Sequence, residues 1–158
     1  MKVVKAMQSS QTIVENLMQI YLHEISEHTG QSILSNGKYD LGKYFSCYWT
    51  EAERYPYLCL VNNEPIGFAL VRQLSKNHFC IAEFFVKEAY RRKSLATQFA
   101  HALFNLHSGT WQVAQLETHK IAQVFWRKTI SSFTSQQFSE QWSESQPKGP
   151  MQVFSSIN

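Results

Sequence analysis

The sequence has no long hydrophobic run and little excess of charge of one sign. No stretch approaches the roughly 18 apolar residues of a membrane-spanning helix, so we expect no membrane partner. Residues 1–10 have neither the apolar segment nor the cleavage site of a signal peptide. The net charge of +3 is too small to indicate nucleic-acid binding by itself. We therefore expect a cytoplasmic protein that binds neither membranes nor nucleic acid.

Cysteine is scarce, and the patterns of several common catalytic sites are missing. The three cysteines, Cys47, Cys59 and Cys80, lie in apolar stretches without C-x-x-C spacing, which indicates reduced core thiols. The histidines do not have the spacing of metal ligands, so we expect no metal. No G-x-S-x-G occurs, so a serine hydrolase triad has no support.

The chain does contain enough apolar side chains for one packed core. Its 158 residues are 44% hydrophobic and 14% aromatic, and no repeat or low-complexity linker divides them. We expect a single domain over residues 1–158.

The hydrophobic periodicity predicts an α/β fold with a mixed, mostly antiparallel sheet and four helices. The helices are expected near 12–29, 40–55, 94–107 and 119–130. Thr12 and Glu15 have the spacing of a capping box, and Gly30 is a plausible stop for the first helix. Strands are expected near 2–6, 57–61, 66–74, 78–86, 111–116, 133–142 and 151–157. The strand–helix–strand order over 78–116 indicates a right-handed parallel crossover.

The most informative stretch runs from Phe84 to Thr97. An apolar strand ends there, the basic residues Arg91, Arg92 and Lys93 follow, and small residues open a helix. Free backbone N–H groups at a helix N-terminus, joined by a loop of consecutive amides, suit a pyrophosphate. An ordinary basic loop is the other interpretation of this pattern.

Two motifs in this region and after it resemble the GNAT superfamily of N-acetyltransferases. Residues 91–96, Arg-Arg-Lys-Ser-Leu-Ala, resemble its Arg/Gln-x-x-Gly-x-Gly/Ala signature. Residues 119–126, His-Lys-Ile-Ala-Gln-Val-Phe-Trp, resemble the family's Asn-x-x-Ala-x-x-Phe-Tyr. The order of the expected elements also matches the family over nearly the whole chain.

The resemblance implies an enzyme that transfers acetyl from acetyl-CoA to a primary amine, which attacks the thioester directly. It implies that the backbone of Phe85 and Val86 binds the pantetheine arm, with the Val86 amide polarising the thioester carbonyl. It implies that the backbone amides of residues 91–97 hold the pyrophosphate. The full expected coenzyme set is Phe85, Val86, Arg91, Arg92, Lys93, Ser94, Leu95, Ala96, Thr97, His119 and Phe125.

Three positions depart from the family pattern. Ser94 replaces the first glycine, which permits close approach of the backbone to phosphate. His119 replaces asparagine and can still form hydrogen bonds. Trp126 replaces a tyrosine that often protonates the departing thiolate in the family, and an indole N–H is a donor that does not transfer its proton usefully. These departures leave a second hypothesis open, in which the domain is a non-catalytic acyl-CoA sensor or scaffold.

Glu83 is our candidate for the general base. It is the only acid within the apolar stretch Phe79–Val86, and desolvation there would raise its pKa towards a useful range. A surface glutamate, or one paired with an arginine such as Arg72, is the alternative. Strand alternation places Glu83 and Val86 on opposite faces, and we expect a β-bulge to alter that pattern.

The acceptor site is expected on the aromatic segment 40–55. Tyr44, Tyr48 and Trp49 are the main candidates, with Tyr55 beside them, because aromatics with a polar group suit an amine. Core packing is the alternative for each. Glu51, Glu53 and His78 are further candidates for binding or catalysis. Phe138 and Trp142 are expected to be exposed on strands that can pair across a homodimer.

Overall fold

A computed structural model of the chain, which describes residues 1–157, has three helices packed on a seven-stranded sheet. The helices are α1 (Gln11–Thr29), α2 (Leu95–Leu106) and α3 (Lys120–Thr134). The strands are β1 (Lys2–Lys5), β2 (Arg54–Val61), β3 (Glu64–Ser75), β4 (His78–Val86), β5 (Thr110–Ala114), β6 (Phe138–Ser143) and β7 (Gly149–Ser155). Short 3-10 turns lie at Gln8–Ser10, Ser46–Trp49 and Glu88–Tyr90.

The sheet has the strand order β1-β2-β3-β4-β5-β7-β6. All neighbours are antiparallel except β4 and β5, which α2 joins as a parallel crossover. The mixed sheet and its crossover confirm the expected architecture.

The expected helix over residues 40–55 does not form, so the expectation of four helices was wrong. Gly42 has a φ of 84° in the left-handed region, and its amide donates to Asp40 Oδ1 at 2.9 Å, which interrupts helical geometry. From Arg54 the chain pairs with β3, and Pro56 lies inside β2. Phe45 and Tyr48 are nevertheless buried. The periodic aromatics therefore belong to a loop whose side chains pack on the core. The helix does not form because strand pairing overrides helix propensity.

The ends of the other helices also differ in detail from expectation. α1 begins at Gln11 after Ser10, without a side-chain cap, so the capping box of Thr12 and Glu15 is wrong. Glu15 accepts instead from the Gln11 side chain at 3.0 Å. Gly30 ends the helix at a φ of 69°, as expected. α3 continues to Thr134, which delays the start of β6.

Two apolar clusters cover the two faces of the sheet. Phe99, Phe104 and Trp111 belong to the cluster under α2 and α3, and none of them is exposed. Val14 and Phe68 belong to the cluster under α1 and are equally buried. Each such side chain contributes about 1.5–3 kcal/mol through its removal from water. Packing on both faces fixes the sheet as a rigid platform.

The parallel pair β4–β5 separates before its strands end. Pairing joins only His78–Cys80 to Thr110–Gln112, although β4 continues to Val86. Within the described residues, β5 therefore provides no partner for the edge of β4 from Ile81 onward. The separation opens a cleft between the two strands.

No helix in the described part of the chain is long and apolar enough to cross a membrane. At the sheet edge, Trp142 on β6 is exposed, whereas Phe138 is partly buried against the core, contrary to expectation. Pairing of this edge with a second copy stays a prediction, and light scattering at high protein concentration tests it.

Candidate functional site

A cleft of about 760 Å³ lies where β4 and β5 part. Its floor includes Ile81–Phe84 from β4 and Val113–Ala114 from β5. α1 contributes Tyr21 and Ile25 to one wall, and α3 contributes Ala122 and Trp126 to the other. The cleft therefore runs from one face of the sheet to the other through the gap between the strands.

Glu83 lies in this cleft, partly buried on the α1 side of the sheet. Burial raises its pKa to about 7, and the neighbouring Tyr21 hydroxyl opposes that rise as a hydrogen-bond donor. No ion pair joins Glu83 to Arg72 or to another cation within residues 1–157. A carboxyl group with a pKa near neutrality in a cleft can accept a proton at physiological pH.

The expected bulge is present in β4, and it acts differently from our expectation. Leu70 of β3 pairs with Glu83 and Val71 pairs with Ile81, which leaves Ala82 as the extra residue. The bulge turns Glu83 to the face of Phe85, away from the face of Ile81. It precedes Glu83, so the side chains of Glu83 and Val86 still lie on opposite faces.

The free edge of β4 exposes main-chain groups near Glu83. The Lys87 amide donates to the Ile66 carbonyl at 2.8 Å, and bonding alternates along an antiparallel pair. The main-chain groups of Phe85 therefore point towards β3, while those of Phe84 and Val86 point towards the cleft edge. The Val86 amide thus faces the free edge, whereas the main-chain groups of Phe85 are bonded to β3, contrary to the expectation that they bind a ligand.

The loop before α2 presents a series of free amides. Across the described residues, no protein acceptor takes the backbone N–H of any residue from Arg92 to Thr97. Arg92 and Ser94 both have a φ of 61° in the left-handed region, and alternation of this kind curls successive amides into an anion-binding nest. Lys93 and Ser94 are exposed, and Leu95, Ala96 and Thr97 form the first turn of α2. The residues present therefore suit a pyrophosphate.

Arg91 shapes this loop from within the protein. Its Nε donates to the Val86 carbonyl at 2.7 Å, and its guanidinium donates to Glu24 Oε2 at 2.5 Å. The guanidinium also lies over the Phe85 ring, 5.6 Å from its centroid. The backbone amide of Arg91 donates to the backbone carbonyl of Glu88 at 3.0 Å. Arg91 thus connects the end of β4 to α1, and its amide is not a free donor for a ligand, contrary to expectation.

The α3 wall contains the residues of the second motif. His119 precedes α3 and stacks on His28 with ring centroids 4.4 Å apart; burial, and then the charge of His28, lower the pKa of His119. Trp126 packs edge-on against Phe84, with ring centroids 4.9 Å apart, and it lines the cleft. Phe125 stacks on Phe84 from behind and does not line the cleft, so it supports the wall.

Two of the expected acceptor-site aromatics line the cleft. Tyr44 is exposed and Tyr48 is buried, and the Arg54 guanidinium lies 5.0 Å and 5.2 Å from their ring centroids. Glu51 accepts from Arg54 Nε at 2.6 Å, so this carboxylate fixes the arginine between the rings.

Other candidates lie elsewhere. The Trp49 indole donates to the Ala6 carbonyl at 3.0 Å, which anchors the loop to the core outside the cleft lining. The Tyr55 hydroxyl donates to Gln73, and Glu53 is exposed outside the lining. His78 begins β4, at the opposite end of that strand from the loop before α2, and its Nε2 is buried without a partner in the described structure.

Sequence reasoning did not assign the polar side chains of Tyr21, Arg54 and Arg72 to the cleft. Arg72 had been considered only as a possible partner of Glu83. Arg54 was assigned to the expected helix over 40–55, whereas it is the first residue of β2. A polar residue on a buried stripe was the one available signal, and it applied only to Tyr21.

Comparisons with known proteins agree with this arrangement. Residues 17–128 match the family model described as "Acetyltransferase (GNAT) family". An acetyltransferase from Thermus thermophilus has a similar fold, with a TM-score of 0.69 at 12% identity over 98% of this chain and 97% of that one. A GNAT-family acetyltransferase from Staphylococcus aureus gives 0.67 at 11% identity over 98% of each chain.

An aminoglycoside acetyltransferase solved in complex with coenzyme A gives a TM-score of 0.67 at 16% identity, over 98% of this chain and 94% of that one. Comparison with curated proteins finds no match. The structural neighbours show the fold, and the family model covers well over half of the sequence. The chain therefore belongs to the acetyltransferase (GNAT) family.

Proposed function

We propose that this protein is an N-acetyltransferase that transfers acetyl from acetyl-CoA to a primary amine of a small molecule or peptide. The observation that carries the proposal is Glu83, a carboxyl group with a pKa of about 7 inside the cleft where β4 and β5 separate. No other carboxylate lines that cleft within residues 1–157. The cytoplasmic location expected from the reduced cysteines stays a prediction.

The chain offers suitable groups for coenzyme A at two places. The free amides from Arg92 to Thr97 would hold the pyrophosphate, with the positive end of α2 behind them. The edge-facing main-chain groups of Phe84 would pair with the pantetheine arm as an added strand does. The Val86 carbonyl already accepts from Arg91 Nε, which leaves the Val86 amide for the thioester. Acetyl-CoA would supply the thioester to be aminolysed.

Three groups of the chain would then take part in the reaction. The amine nitrogen would form a bond to the acetyl carbon while the carbon–sulfur bond breaks, and Glu83 would accept the proton that the nitrogen loses. The Val86 amide would donate to the developing oxyanion. Trp126 can stabilise the leaving thiolate through its indole N–H, and the proton on Glu83 can return through solvent to produce the free thiol.

Isothermal titration with acetyl-CoA tests the coenzyme site. The double variant Arg92→Glu, Ser94→Asp puts negative charge into the nest, while Ser75→Asp, Lys76→Glu makes the same charge change at the end of β3 and the turn that follows it. We expect submillimolar binding by the wild type and by the second variant, with binding lost in the first. Binding that persists in the first variant would place the pyrophosphate elsewhere.

The acyl-CoA sensor is the second candidate, favoured by Ser94 and Trp126 at the positions where the family pattern has glycine and tyrosine. A release assay for the free thiol of coenzyme A, with a panel of amines, separates the two functions. Turnover that falls with Glu83→Gln supports the transferase. Tight acetyl-CoA binding with no turnover of any amine favours the sensor.

A further inference from the structure

The acceptor side of the cleft carries more positive than negative charge. Lys43, Arg54 and Arg72 line it, and Glu83 is the one lining carboxylate among the described residues. Glu51 neutralises Arg54 at 2.6 Å. No carboxylate lies within ion-pair distance of Arg72 or Lys43 in residues 1–157. Of these two, Lys43 lies over the ring of Tyr44 at 4.9 Å, and Arg72 is exposed.

Arg72 and Glu83 lie on the same face of the sheet. Phe68 and Leu70 of β3 pack in the cluster under α1, so the alternation of β3 directs Arg72 to that face as well. Leu70 pairs with Glu83, and Arg72 follows two positions later along β3. Arg72 and Glu83 are therefore diagonal neighbours across the β3–β4 pair, and such neighbours lie roughly 7–8 Å apart. A long arginine side chain can therefore reach a group a few bonds from an amine held at Glu83.

We propose that the acceptor is a small primary amine that also carries an anionic group, such as the carboxylate of an amino acid, which Arg72 binds. This inference rests on the proposed function and names the substrate class of the same site. A guanidinium provides paired donors that match a carboxylate, and it stays charged at any working pH. Arg54 is held between Tyr44 and Tyr48 and is paired with Glu51, so the guanidinium of Arg72, unpaired within residues 1–157, is the better candidate for binding the anion.

The same charges disfavour a polycationic acceptor. The aminoglycoside named for the structural neighbour carries several amines, and a cleft lined by Lys43 and Arg72, neither of which forms an ion pair within residues 1–157, disfavours such a molecule. The shared fold therefore does not extend to a shared acceptor.

Matched pairs of amines test the proposal. Coenzyme A release would be measured with β-alanine and 4-aminobutyrate, with their uncharged amides, with phosphoethanolamine and with an aminoglycoside. We expect kcat/KM to be at least tenfold higher for the amino acids than for their amides. A still larger value for phosphoethanolamine would identify phosphate as the preferred anion. Arg72→Gln should remove the preference by raising KM, whereas Lys76→Gln, a surface variant with the same charge change, should retain it.

The inference is overturned if the amides or the aminoglycoside react as well as the amino acids, or if the preference survives Arg72→Gln. Calorimetric binding of β-alanine and its amide to protein saturated with coenzyme A gives a readout without turnover. Selective binding of β-alanine with no turnover supports the anion site and refutes the transferase. Equal or absent binding, together with turnover of other amines, refutes the anion site and retains the transferase.

Discussion

Among single residues, Glu83 gives the proposed function its most direct test. Only the ionised carboxylate accepts a proton, and its pKa is about 7. We expect the kcat/KM of the wild type to rise with pH and to level off above about pH 7. Glu83→Gln should lower kcat/KM by about 100-fold or more and remove that rise. An unchanged pH profile in the variant would assign the base to another group.

The stability of the same variant separates catalysis from folding. Burial raises the pKa of Glu83 in the folded state, so the folded protein holds this proton more tightly than the unfolded chain does. The resulting contribution to stability is present below about pH 4.5 and is lost as pH rises through about 7. Glu83→Gln should therefore unfold at no lower temperature than the wild type at pH 8. A marked loss of stability there would mean that the carboxylate has a structural partner.

Ser94 gives a second test at this scale. Its φ of 61° is costly for a residue with a β-carbon, by about 1–2 kcal/mol, whereas glycine adopts it freely. Ser94→Gly should stabilise the fold by about 0.5–1 kcal/mol, net of the entropy of glycine, and tighten coenzyme A binding. Denaturant unfolding and calorimetry measure the two effects. Ser94→Ala keeps the β-carbon, so weaker binding by that variant alone would show that the hydroxyl contacts the ligand.

At the scale of elements, the sequence predicted the order of the strands and the parallel crossover correctly, but it predicted a helix for the loop over 40–55. β4, α2 and β5 have strong local periodicity, and their order limits how they connect. The segment 40–55 has helical spacing of aromatics, but Gly42 and the pairing of Arg54 with Arg72 prevent a helix. A pairing between distant strands leaves no local signal, so periodicity alone could not reveal it.

The pairing of Gly67 in β3 with Val86 at the end of β4 offers a prediction at the scale of elements. A β-carbon there would lie 2.3 Å from the Phe85 carbonyl oxygen, so β4 must shift at the edge expected to bind the ligand. Gly67→Ala should destabilise the fold by about 2 kcal/mol or more and weaken acetyl-CoA binding. Gly37→Ala is the control, because its φ is 78° but nothing lies within 4 Å of the added carbon. Equal effects of the two variants on coenzyme binding would contradict this account of β4.

For the whole molecule, local sequence patterns describe the loop before α2 better than the charged groups that face one another in the cleft. The residues from Arg92 to Thr97 are consecutive, so a local motif describes them. Arg54, Arg72 and Glu83 come from three strands and meet only once the sheet has formed. Which charges face one another across a cleft depends on register and on the bulge at Ala82, and neither is visible in the composition of a segment.

The C-terminal hairpin completes the acceptor side, and a buried amide pair holds it to the sheet. Gln115 of the chain after β5 and Gln152 of β7 exchange hydrogen bonds at 2.7 Å and 3.1 Å, and Gln152 also donates to Glu140 of β6 at 2.8 Å. Glu140 in turn accepts two bonds from Arg127 of α3. The loop of this hairpin lines the cleft with Ser143, Ser145, Gln146 and Pro147. The network therefore connects the core to a wall of the proposed acceptor site.

Breaking this pair should affect the acceptor more than the coenzyme. Gln152→Leu removes the donor to the buried side-chain amide oxygen of Gln115. We therefore expect the free energy of unfolding to fall by about 1–3 kcal/mol. The double variant Gln115→Leu, Gln152→Leu should lose less than the sum of the two single variants, because no buried amide then lacks its partner. KM for the amine should rise in Gln152→Leu while acetyl-CoA affinity stays within about twofold, since the nest before α2 lies outside the network. Additive stability losses would mean that the two amides act independently, and a parallel fall in acetyl-CoA affinity would mean that the hairpin supports the entire cleft.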